Sequence, residues 1–357
     1  MRIGYVGLGW AARGFHLPAA KKLREVEPVG GFDPSAEQRA SWEHETRLPA
    51  YETLDELVAR AHPDVVVIAT PPDSHAELSI QALESGAHVI CEKPFVSSVE
   101  EADRVLAAAA TAGRQVAVNH QYRGKPVFRA VKDQIGRQGV GELVFCQVSQ
   151  LMDLAPWDEP TPWRAAMPNR TLFEAGCHLV DLLLYLFGEL PEAVYARHTS
   201  GLDATRNADA IHLVMLEFSR GRLAQITIDR LCKAGTRYIE LRADCEQASL
   251  RASHGGRVLL QLGMKRAERP GIRLHYGLGG VAWSEMGLSR KKLARNPRNP
   301  GVAATVTLLQ EIVAALREGR EPPSSGSEAR DGLRVIEAAY RSAATGERVP
   351  IPRAVSV

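Results

Sequence analysis

Short apolar runs alternate with longer amphipathic segments along the first 120 residues of this 357-residue chain. The apolar runs have the length of strands, whereas the amphipathic segments repeat with the period of a helix. The predicted strands are 3–6, 29–32, 65–69, 88–91 and 115–118, and the predicted helices lie near 11–24, 35–45, 53–61, 74–85 and 98–112. Strands that are apolar on both faces and alternate with helices predict a doubly wound parallel sheet, the Rossmann type of α/β domain.

The pattern changes after about residue 122. Two helices are predicted at 126–137 and 173–187, and strands are predicted at 142–152, 192–199, 208–219, 222–230, 236–243 and 247–252. Consecutive strands joined by short turns predict an antiparallel sheet, and helices on one face of that sheet would make this half an α+β domain. Residues 263–301 are predicted to be irregular, and the last predicted helices are 302–318 and 327–344. The predicted domains are therefore 1–121 and 122–357.

Charge and cysteine content exclude several classes of protein. The 44 basic and 42 acidic residues leave a net charge of +2, which gives no strong field for nucleic acid or for a membrane surface. No apolar run approaches the roughly 20 residues that span a bilayer. The cysteines are odd in number and have no C-x-x-C spacing; they are Cys91, Cys146, Cys177, Cys232 and Cys245. Reduced thiols, no metal site and a cytoplasmic location are therefore expected.

A glycine-rich turn directly follows the first predicted strand. The segment VGLGWAA places Gly7, Gly9 and Ala12 at G-x-G-x-x-A spacing, with Trp10 inside the turn. Gly7 permits the tight turn, Gly9 lets the backbone approach a pyrophosphate, and Ala12 lets helix and strand pack closely. Amide groups at the helix start then face the phosphates. This context predicts a dinucleotide site that includes these four residues.

Asp33 ends the second predicted strand, at the expected distance for a ribose partner. Its carboxylate accepts hydrogen bonds from a ribose 2′-hydroxyl and repels a 2′-phosphate, which favours NAD over NADP. Two alternatives stay open. Asp33 also suits a turn before Pro34, and Arg39 reaches a 2′-phosphate if its helix leans inward, so that NADP is also possible.

Two further segments lie at the carboxyl edge of the predicted sheet, where open α/β folds bind ligands. Thr70 and Pro71 form a turn after the predicted strand 65–69, and His75 either contacts the cofactor or substrate or begins a helix. The run VICEKPF, 89–95, ends an apolar strand at Glu92 and Lys93. Lys93 is either a solvated residue at a strand end or a residue whose ammonium the strand places at a defined position in a site.

Several motifs together resemble the Gfo/Idh/MocA family, the oxidoreductases related to glucose-fructose oxidoreductase and inositol dehydrogenase. The motifs are GLGWAA, TPPDSHAEL, ALESGAHVICEKP, EAGCHLVDLLLYLFG and EAAYRSAATGERVPIP. The resemblance implies an N-terminal Rossmann domain, a C-terminal open-faced sheet, and NAD(P)-dependent oxidation or reduction of a secondary alcohol of a sugar or cyclitol. It also implies association through the open sheet faces, as a homodimer or homotetramer.

The resemblance extends to the site residues. It implies that Lys93, with a cis peptide before Pro94, lies at the active site together with Glu174 and His178. Glu92 then either anchors Lys93 or contacts a cofactor ribose. Imidazole titrates near working pH, so we assign His178 as general base and Lys93 as the residue that orients the substrate hydroxyl and stabilises charge on its oxygen.

Glu174, His178 and Asp181 are spaced at i, i+4 and i+7, which predicts one face of a helix. Polar groups on a buried helix are partnered or functional. Glu174 is expected to tune His178 or to bind a substrate hydroxyl, and Asp181 either packs the helix or contacts substrate. The alternative for His178 is a hydrogen-bonded core histidine.

The chain departs from the family pattern at two points. Many relatives carry Asp at the position of Glu174 and a glycine-rich run before it, where this chain has 168–171, Pro-Asn-Arg-Thr. The departures imply a reshaped pocket, different from that of an inositol dehydrogenase. Candidate pocket residues are Tyr122, Arg123, Trp163 and Arg164.

Other interpretations remain beside the leading one. The basic stretch 289–298 is either a solvated loop or a contact for an anion or a neighbouring subunit. The leading function is a dehydrogenase or reductase acting on a small polyhydroxylated molecule. The alternatives are an NAD-requiring glycosidase and a non-catalytic dinucleotide sensor that regulates another protein.

Overall fold

The computed structural model describes residues 1–153, 167, 169–200, 209–233, 238–255, 258–264, 270–276, 280–287 and 289–352. The chain divides into two compact units. The first comprises Met1–Lys125 and Asn299–Ile336, and the second comprises Pro126–Arg298 and Glu337–Val357.

The first unit contains a six-stranded sheet in which every neighbouring pair is parallel. Its strands are β1 Arg2–Val6, β2 Glu27–Phe32, β3 Ala50–Tyr51, β4 Val65–Ile68, β5 His88–Cys91 and β6 Val116–Val118, in the order β3-β2-β1-β4-β5-β6. The helices are α1 Leu17–Ala20, α2 Ala36–Thr46, α3 Leu54–Ala61, α4 His75–Glu84 and α5 Val99–Ala112, and a π-helical turn, Ala12–His16, precedes α1. The predicted Rossmann sheet is confirmed, with β3 as an additional short strand.

A later helix completes the core of this unit. This helix, α8, spans Pro300–Arg317 and follows two helices of the second unit. It is capped by the Asn299 side chain, which accepts a hydrogen bond from the Val302 amide. Its Leu308 and Ile312 are buried in the same apolar cluster as Ile3 of β1. Each such side chain contributes about 1.5–3 kcal/mol of burial free energy. The predicted second domain, 122–357, therefore differs from the observed packing, because the apolar face of α8 is buried in the first unit.

The second unit is built on a nine-stranded sheet with the order β16-β15-β12-β11-β7-β10-β9-β8-β17. Its strands are β7 Leu143–Leu151, β8 Ala193–Thr199, β9 Ile211–Glu217, β10 Leu223–Asp229, β11 Ile239–Cys245, β12 Ser249–His254, β15 Val281–Met286, β16 Ser289–Arg295 and β17 Val349–Pro350. The pair β7–β10 is parallel and the other neighbouring pairs are antiparallel. Two more strands, β13 Val258–Met264 and β14 Pro270–Tyr276, form an antiparallel pair. The mainly antiparallel sheet that the sequence predicts is confirmed.

Helices cover one face of the nine-stranded sheet. They include α6 Pro126–Lys132 and α7 Cys177–Phe187, and α7 follows a π-helical turn, Thr171–Ala175. The helix α9, Gly326–Thr345, comes after α8, and Ser342 near its end accepts a hydrogen bond from the Ala196 amide of β8. On the other face of the sheet, apolar side chains of β7, β9 and β10 are exposed. The sheet therefore has one covered and one open face, as predicted.

The prediction of an irregular segment at 263–301 is wrong. This segment contains β14, β15, β16 and the end of β13. In β16, SRKKLAR, four of seven side chains are basic, and the strand lies at the edge of its sheet. Charged side chains suit an edge strand because they discourage pairing with another chain, but they remove the apolar alternation by which a strand is found in a sequence.

Candidate active site

The glycine-rich turn lies between β1 and the π-helical turn Ala12–His16. Gly7 has φ +83°, and a Cβ there would lie 2.7 Å from the Ala69 carbonyl oxygen, so the fold itself requires glycine. At Gly9, apart from its chain neighbours, no heavy atom of a described residue lies within 4 Å of the position of an added Cβ. The open space beside Gly9 fits the approach of a dinucleotide pyrophosphate. Ala12 is fully buried and Trp10 is 72% exposed on this turn.

Asp33 is held against the glycine-rich turn. Its Oδ2 accepts a hydrogen bond from the Leu8 amide at 2.9 Å, and its Oδ1 accepts one from the Ser35 amide at 2.9 Å. A carboxylate oxygen has a second lone pair, so both oxygens can also accept from a ribose hydroxyl. The structure thus gives Asp33 the turn-forming role and places its carboxylate beside the predicted pyrophosphate site.

Arg39 lies next to Asp33 but is already bonded within the protein. Its Nη1 donates to the carbonyl oxygens of Asp33 and Pro34 at 2.9 and 3.0 Å, and its Nη2 pairs with Glu52 at 2.9 Å. A 2′-phosphate would have to compete with Glu52 for this guanidinium and would also meet the Asp33 carboxylate. Arg39 is thus engaged by Glu52 and two carbonyl oxygens, and the preference for NAD over NADP stays a prediction.

The side chain of His75 is bonded to the backbone of the protein itself. The ring is fully buried, with Nδ1 2.9 Å from the Pro94 carbonyl oxygen and Nε2 2.9 Å from the Thr70 carbonyl oxygen. The imidazole thus lies between two backbone turns, and a contact of His75 with the cofactor stays a prediction. It joins the Thr70–Pro71 turn after β4 to the loop after β5, and it is the first residue of α4 as the second alternative expected.

Glu92 forms a buried cluster with two residues that the sequence did not single out. Its Oε1 lies 2.7 Å from His16 Nε2 and accepts a hydrogen bond from Asn119 Nδ2 at 2.6 Å. Burial acts to raise the pKa of Glu92, but the hydrogen bonds from His16 and Asn119 and the charges of His16 and Lys93 lower this pKa to about 2. The carboxylate is therefore ionised, and its Oε2 accepts a hydrogen bond from the Lys93 amide.

The Glu92→Gln variant should lose stability in a pH-dependent way. At pH 7 we expect a free energy of unfolding lower by about 2–3 kcal/mol, since hydrogen bonds to a charged group contribute about 1.5–3 kcal/mol. The folded-state pKa of Glu92 is lowered, so its contribution is complete above the ordinary value of 4.5 and is lost as pH falls towards about 2. Denaturant unfolding at pH 7, 5 and 4 should show the gap between variant and wild type shrinking at the acid end. A gap that stays constant would contradict the ionised cluster, and Glu84→Gln, an exposed site on α4, is the matched control.

Lys93 has a fixed backbone on both sides. Its amide donates to Glu92 Oε2 at 3.1 Å, and the carbonyl oxygens of the next two residues lie 2.9 and 3.0 Å from His75 Nδ1. The Lys93–Pro94 peptide bond is cis, as the resemblance implies. A solvated residue at a strand end does not need a buried carboxylate and a buried imidazole to hold its backbone. This arrangement therefore favours the alternative in which the Lys93 ammonium has a defined position.

The predicted acid–base segment differs from a regular helix at its start. The Gly176 amide donates to the Thr171 carbonyl oxygen, five residues back, which defines a π-helical turn. Glu174 lies in this turn, whereas His178 and Asp181 lie in α7, with exposures of only 5% and 3%. The prediction of one α-helical stripe through all three residues is therefore wrong at Glu174, because the turn contains one extra residue.

Arg230, which the sequence did not single out, is buried beside Glu174. Its Nη2 lies 3.4 Å from Glu174 Oε2, and the two side chains form an ion pair. Burial lowers the pKa of Arg230, while the Glu174 charge acts against this. The structure thus gives Glu174 a cationic partner that directly follows β10.

The four predicted pocket residues do not share one environment. Tyr122 is buried, and its ring lies 3.9 Å from Lys125 Nζ, whose pKa burial holds well below its usual range. Arg123 is buried and pairs with Glu328 at 2.7 Å, so it binds within the protein. Trp163 and Arg164 lie outside the described residues.

The basic stretch 289–298 is mostly strand. Seven of its residues form β16, where Arg290 lies 4.0 Å above the Trp283 ring and 3.6 Å from Glu285. The interpretation as a solvated loop is wrong over these residues, because they pair with β15. A contact with an anion or with a neighbouring subunit stays a prediction.

Two classes of feature are absent from the part of the chain that the structure describes. No group of three or more His, Cys, Asp or Glu side chains there is arranged to hold a metal ion. Over the same residues, no helix combines the length and the apolar character that a membrane crossing needs.

Two family models match the chain. The first, described as the oxidoreductase family with an NAD-binding Rossmann fold, matches residues 1–120. The second, described as the GFO/IDH/MocA C-terminal domain, matches residues 128–251. Together the two matches span more than half of the chain.

Individual relatives are distant. The chain is 28% identical over 229 residues to 1,5-anhydro-D-fructose reductase of Ensifer adhaerens, which covers 63% of this chain and 68% of the relative. It is 24% identical over 351 residues to D-apiose dehydrogenase of Paraburkholderia graminis, covering 97% and 88%. A solved oxidoreductase from Agrobacterium radiobacter, in complex with NAD+, L-tartaric acid and magnesium, has a TM-score of 0.84 over 98% of both chains at 19% identity. The last likeness shows the fold alone.

Proposed function

This chain belongs to the GFO/IDH/MocA family of oxidoreductases, and from this premise we propose that it acts on a secondary alcohol or ketone of a sugar, a cyclitol or a related polyol. The nicotinamide coenzyme, when bound, supplies or accepts the hydride. Two relatives carry names of sugar-derived substrates, 1,5-anhydro-D-fructose and D-apiose. They support this class of substrate without identifying its member.

The backbone of Gly7, Gly9 and Ala12 holds the coenzyme pyrophosphate, with Trp10 beside it. Asp33 binds the adenosine ribose, and its charge gives the preference for NAD over NADP. Thr70, Pro71 and Glu92 border the remainder of the coenzyme. The open space beside Gly9 supports this assignment, because no described residue other than its chain neighbours would contact a side chain there.

Lys93 and His178 act on the substrate oxygen. The Lys93 ammonium donates a hydrogen bond to the hydroxyl and stabilises negative charge as the oxygen loses its proton. His178 accepts that proton during oxidation and returns it during reduction. Glu174 orients His178 or binds a neighbouring hydroxyl, and Tyr122, Trp163, Arg164 and Asp181 are proposed to contribute to the substrate pocket.

The observation that carries the proposal is the fixed backbone of Lys93. This residue follows β5, at the same carboxyl edge of the parallel sheet at which Gly7 follows β1. Buried Glu92 precedes it, and buried His75 holds the two residues after it. A lysine held in this way next to a dinucleotide turn suits a reaction that needs one ammonium near the coenzyme.

A screen of polyols and keto-sugars tests the function. Each compound is mixed with the protein and NAD or NADH, and the coenzyme absorbance is followed. We expect at least one secondary alcohol to reduce NAD stoichiometrically and the corresponding ketone to oxidise NADH. Repeating the active pair with NADP should give a lower kcat/KM, and a strong bias towards NADP would refute the role of Asp33.

The same screen separates the alternatives. An NAD-requiring glycosidase would release sugar without net NADH, and a dinucleotide sensor would bind NAD without turnover. The dehydrogenase and reductase names of the relatives do not favour either alternative.

The open face of the nine-stranded sheet supports self-association as a homodimer or homotetramer. Four apolar side chains on β7, β9 and β10 have exposures of 39–49%: Val144, Leu213, Met215 and Leu223. An antiparallel sheet covered on one side only leaves such a surface for a partner. A second copy of the chain is the proposed partner.

The cytoplasm is the proposed location. All five cysteines are free thiols. Reducing compartments maintain that form.

A further inference from the structure

Four polar side chains that are distant in sequence surround the start of the acid–base segment. We call Asp209, His212, Arg230 and Tyr340 the anchor cluster. Asp209 precedes β9, His212 is its second residue, Arg230 follows β10, and Tyr340 belongs to α9. All four contact one another or the residues at 169–174.

Helix-like turns begin with amide groups that have no partner inside the turn. In the segment Thr171–Ala175, the preceding residue, Arg170, provides no side-chain cap. The Thr171 amide instead donates to Asp209 Oδ2 at 2.9 Å, and the Leu172 amide donates to Tyr340 Oη at 3.2 Å. Remote residues therefore supply the cap that the local sequence lacks.

The protonation states of this pair suit the capping role. Burial acts to raise the pKa of Asp209, but hydrogen bonds from His212, Tyr340 and the Thr171 amide lower it, so that the group is a carboxylate. Burial and the Asp209 charge raise the pKa of Tyr340, so its hydroxyl keeps its proton. That hydroxyl lies 2.7 Å from Asp209 Oδ2 and 2.9 Å from the Asn169 carbonyl oxygen, and it donates to one while accepting from Leu172.

Arg230 binds the same turn from another side. Its Nη2 lies 3.4 Å from the carbonyl oxygens of Arg170 and Thr171 and from Glu174 Oε2. Arg230 is 3% exposed, and its Nε has no hydrogen-bond partner in the described structure. Arg230 thus connects the backbone of the turn to the carboxylate of Glu174.

We propose that Tyr340, Asp209 and Arg230 are positioning residues, which hold the turn Thr171–Ala175 so that Glu174 and the following His178 have their catalytic orientation. The inference rests on the function proposed above and extends it to three residues that act through the turn. A shift of about 1 Å in a catalytic group can cost up to about 10²-fold in rate. A purely structural cap, in contrast, contributes to stability and not to kcat.

Tyr340→Phe removes one hydroxyl and leaves the ring in place. We expect kcat to fall about tenfold with an unchanged KM for NAD, because the turn loses its Leu172 cap and Glu174 shifts. Amide hydrogen exchange, measured by mass spectrometry on peptides that span 169–176, should become faster. Tyr195→Phe is the matched control: Tyr195 is in β8, and its hydroxyl makes no hydrogen bond among the described residues.

Asp209→Asn tests whether the cluster acts as one unit. The variant should lower kcat in the same direction, and the double variant with Tyr340→Phe should be no slower than the slower single variant, because both remove one support. An unchanged kcat in folded Tyr340→Phe, whether or not its melting temperature falls, overturns the positioning role. Hydrogen exchange is measured without substrate, so it tests the cap independently of turnover. A wild-type protein without turnover would refute the proposed function. Slow exchange at 169–176 that persists in Tyr340→Phe would refute the cap.

Discussion

The His178→Ala variant should oxidise the substrate found in the screen with a kcat lower by about 10²–10⁴-fold, the typical contribution of a positioned general base. The imidazole is the proposed acceptor of the hydroxyl proton, and alanine leaves water to accept it. Affinity for NAD should change little, since the proposed coenzyme contacts come from other residues. Steady-state kinetics and a coenzyme titration measure the two effects.

His44→Ala provides the matched control, because His44 is an exposed residue of α2. Its kcat should equal that of the wild type. Circular dichroism of His178→Ala separates loss of chemistry from loss of fold, since the residue is 5% exposed. Addition of free imidazole should restore part of the rate if a proton acceptor is what the variant lacks. A folded variant that turns over at nearly the wild-type rate removes His178 from the mechanism.

The first unit was predictable because its signals are local. Each strand of the parallel sheet other than β3 contains an apolar run that the sequence shows directly. Gly7 is a glycine whose φ of +83° the fold requires. Strand β3 was missed because two residues, Ala50 and Tyr51, form no readable pattern. The sequence does not show which domain helix α8 belongs to, because an apolar helix face does not specify the core against which it packs.

The second unit was less predictable where charge replaces apolar alternation. β16 reads as a basic loop, although backbone pairing with β15 makes it a strand. The extra residue of the turn at Glu174 has no signature in the sequence either, because Arg230 and Asp209, which contact this turn, are 56 and 38 residues away from their partners. Backbone pairing determines the strand β16 and contacts between residues distant in sequence determine the π-helical turn, and rules based on the spacing of neighbouring residues do not include such contacts.

The buried cluster around Glu92 illustrates the same limit within the site. His16 is 76 residues from Glu92 and gave no local signal. Asn119 directly follows β6 at the carboxyl edge of the sheet, so the rule that selected Thr70 would have selected Asn119 as well. The position of Lys93 was predictable from strand order and Glu92 from its place beside it, whereas His16, which holds Glu92, was not.

Lys93→Met should lower kcat by about 10²–10³-fold, the usual effect of removing one donor to a developing oxyanion. Methionine keeps an unbranched side chain one atom shorter than that of lysine and removes the ammonium, so the cluster of Glu92, His16 and Asn119 should persist. Lys93→Arg should not restore the rate, because a planar guanidinium does not replace a compact ammonium at a fixed position.

The experiment must separate chemistry from coenzyme binding, since Lys93 is also a proposed coenzyme contact. We expect the loss in kcat to exceed any rise in the KM for NAD. Lys22→Met, at an exposed position, should leave both constants unchanged. A Lys93→Met enzyme with a wild-type kcat and a raised KM for NAD would show that Lys93 only binds the coenzyme. The fixed backbone around Lys93 would then serve coenzyme affinity, and the oxyanion of the substrate would need another donor.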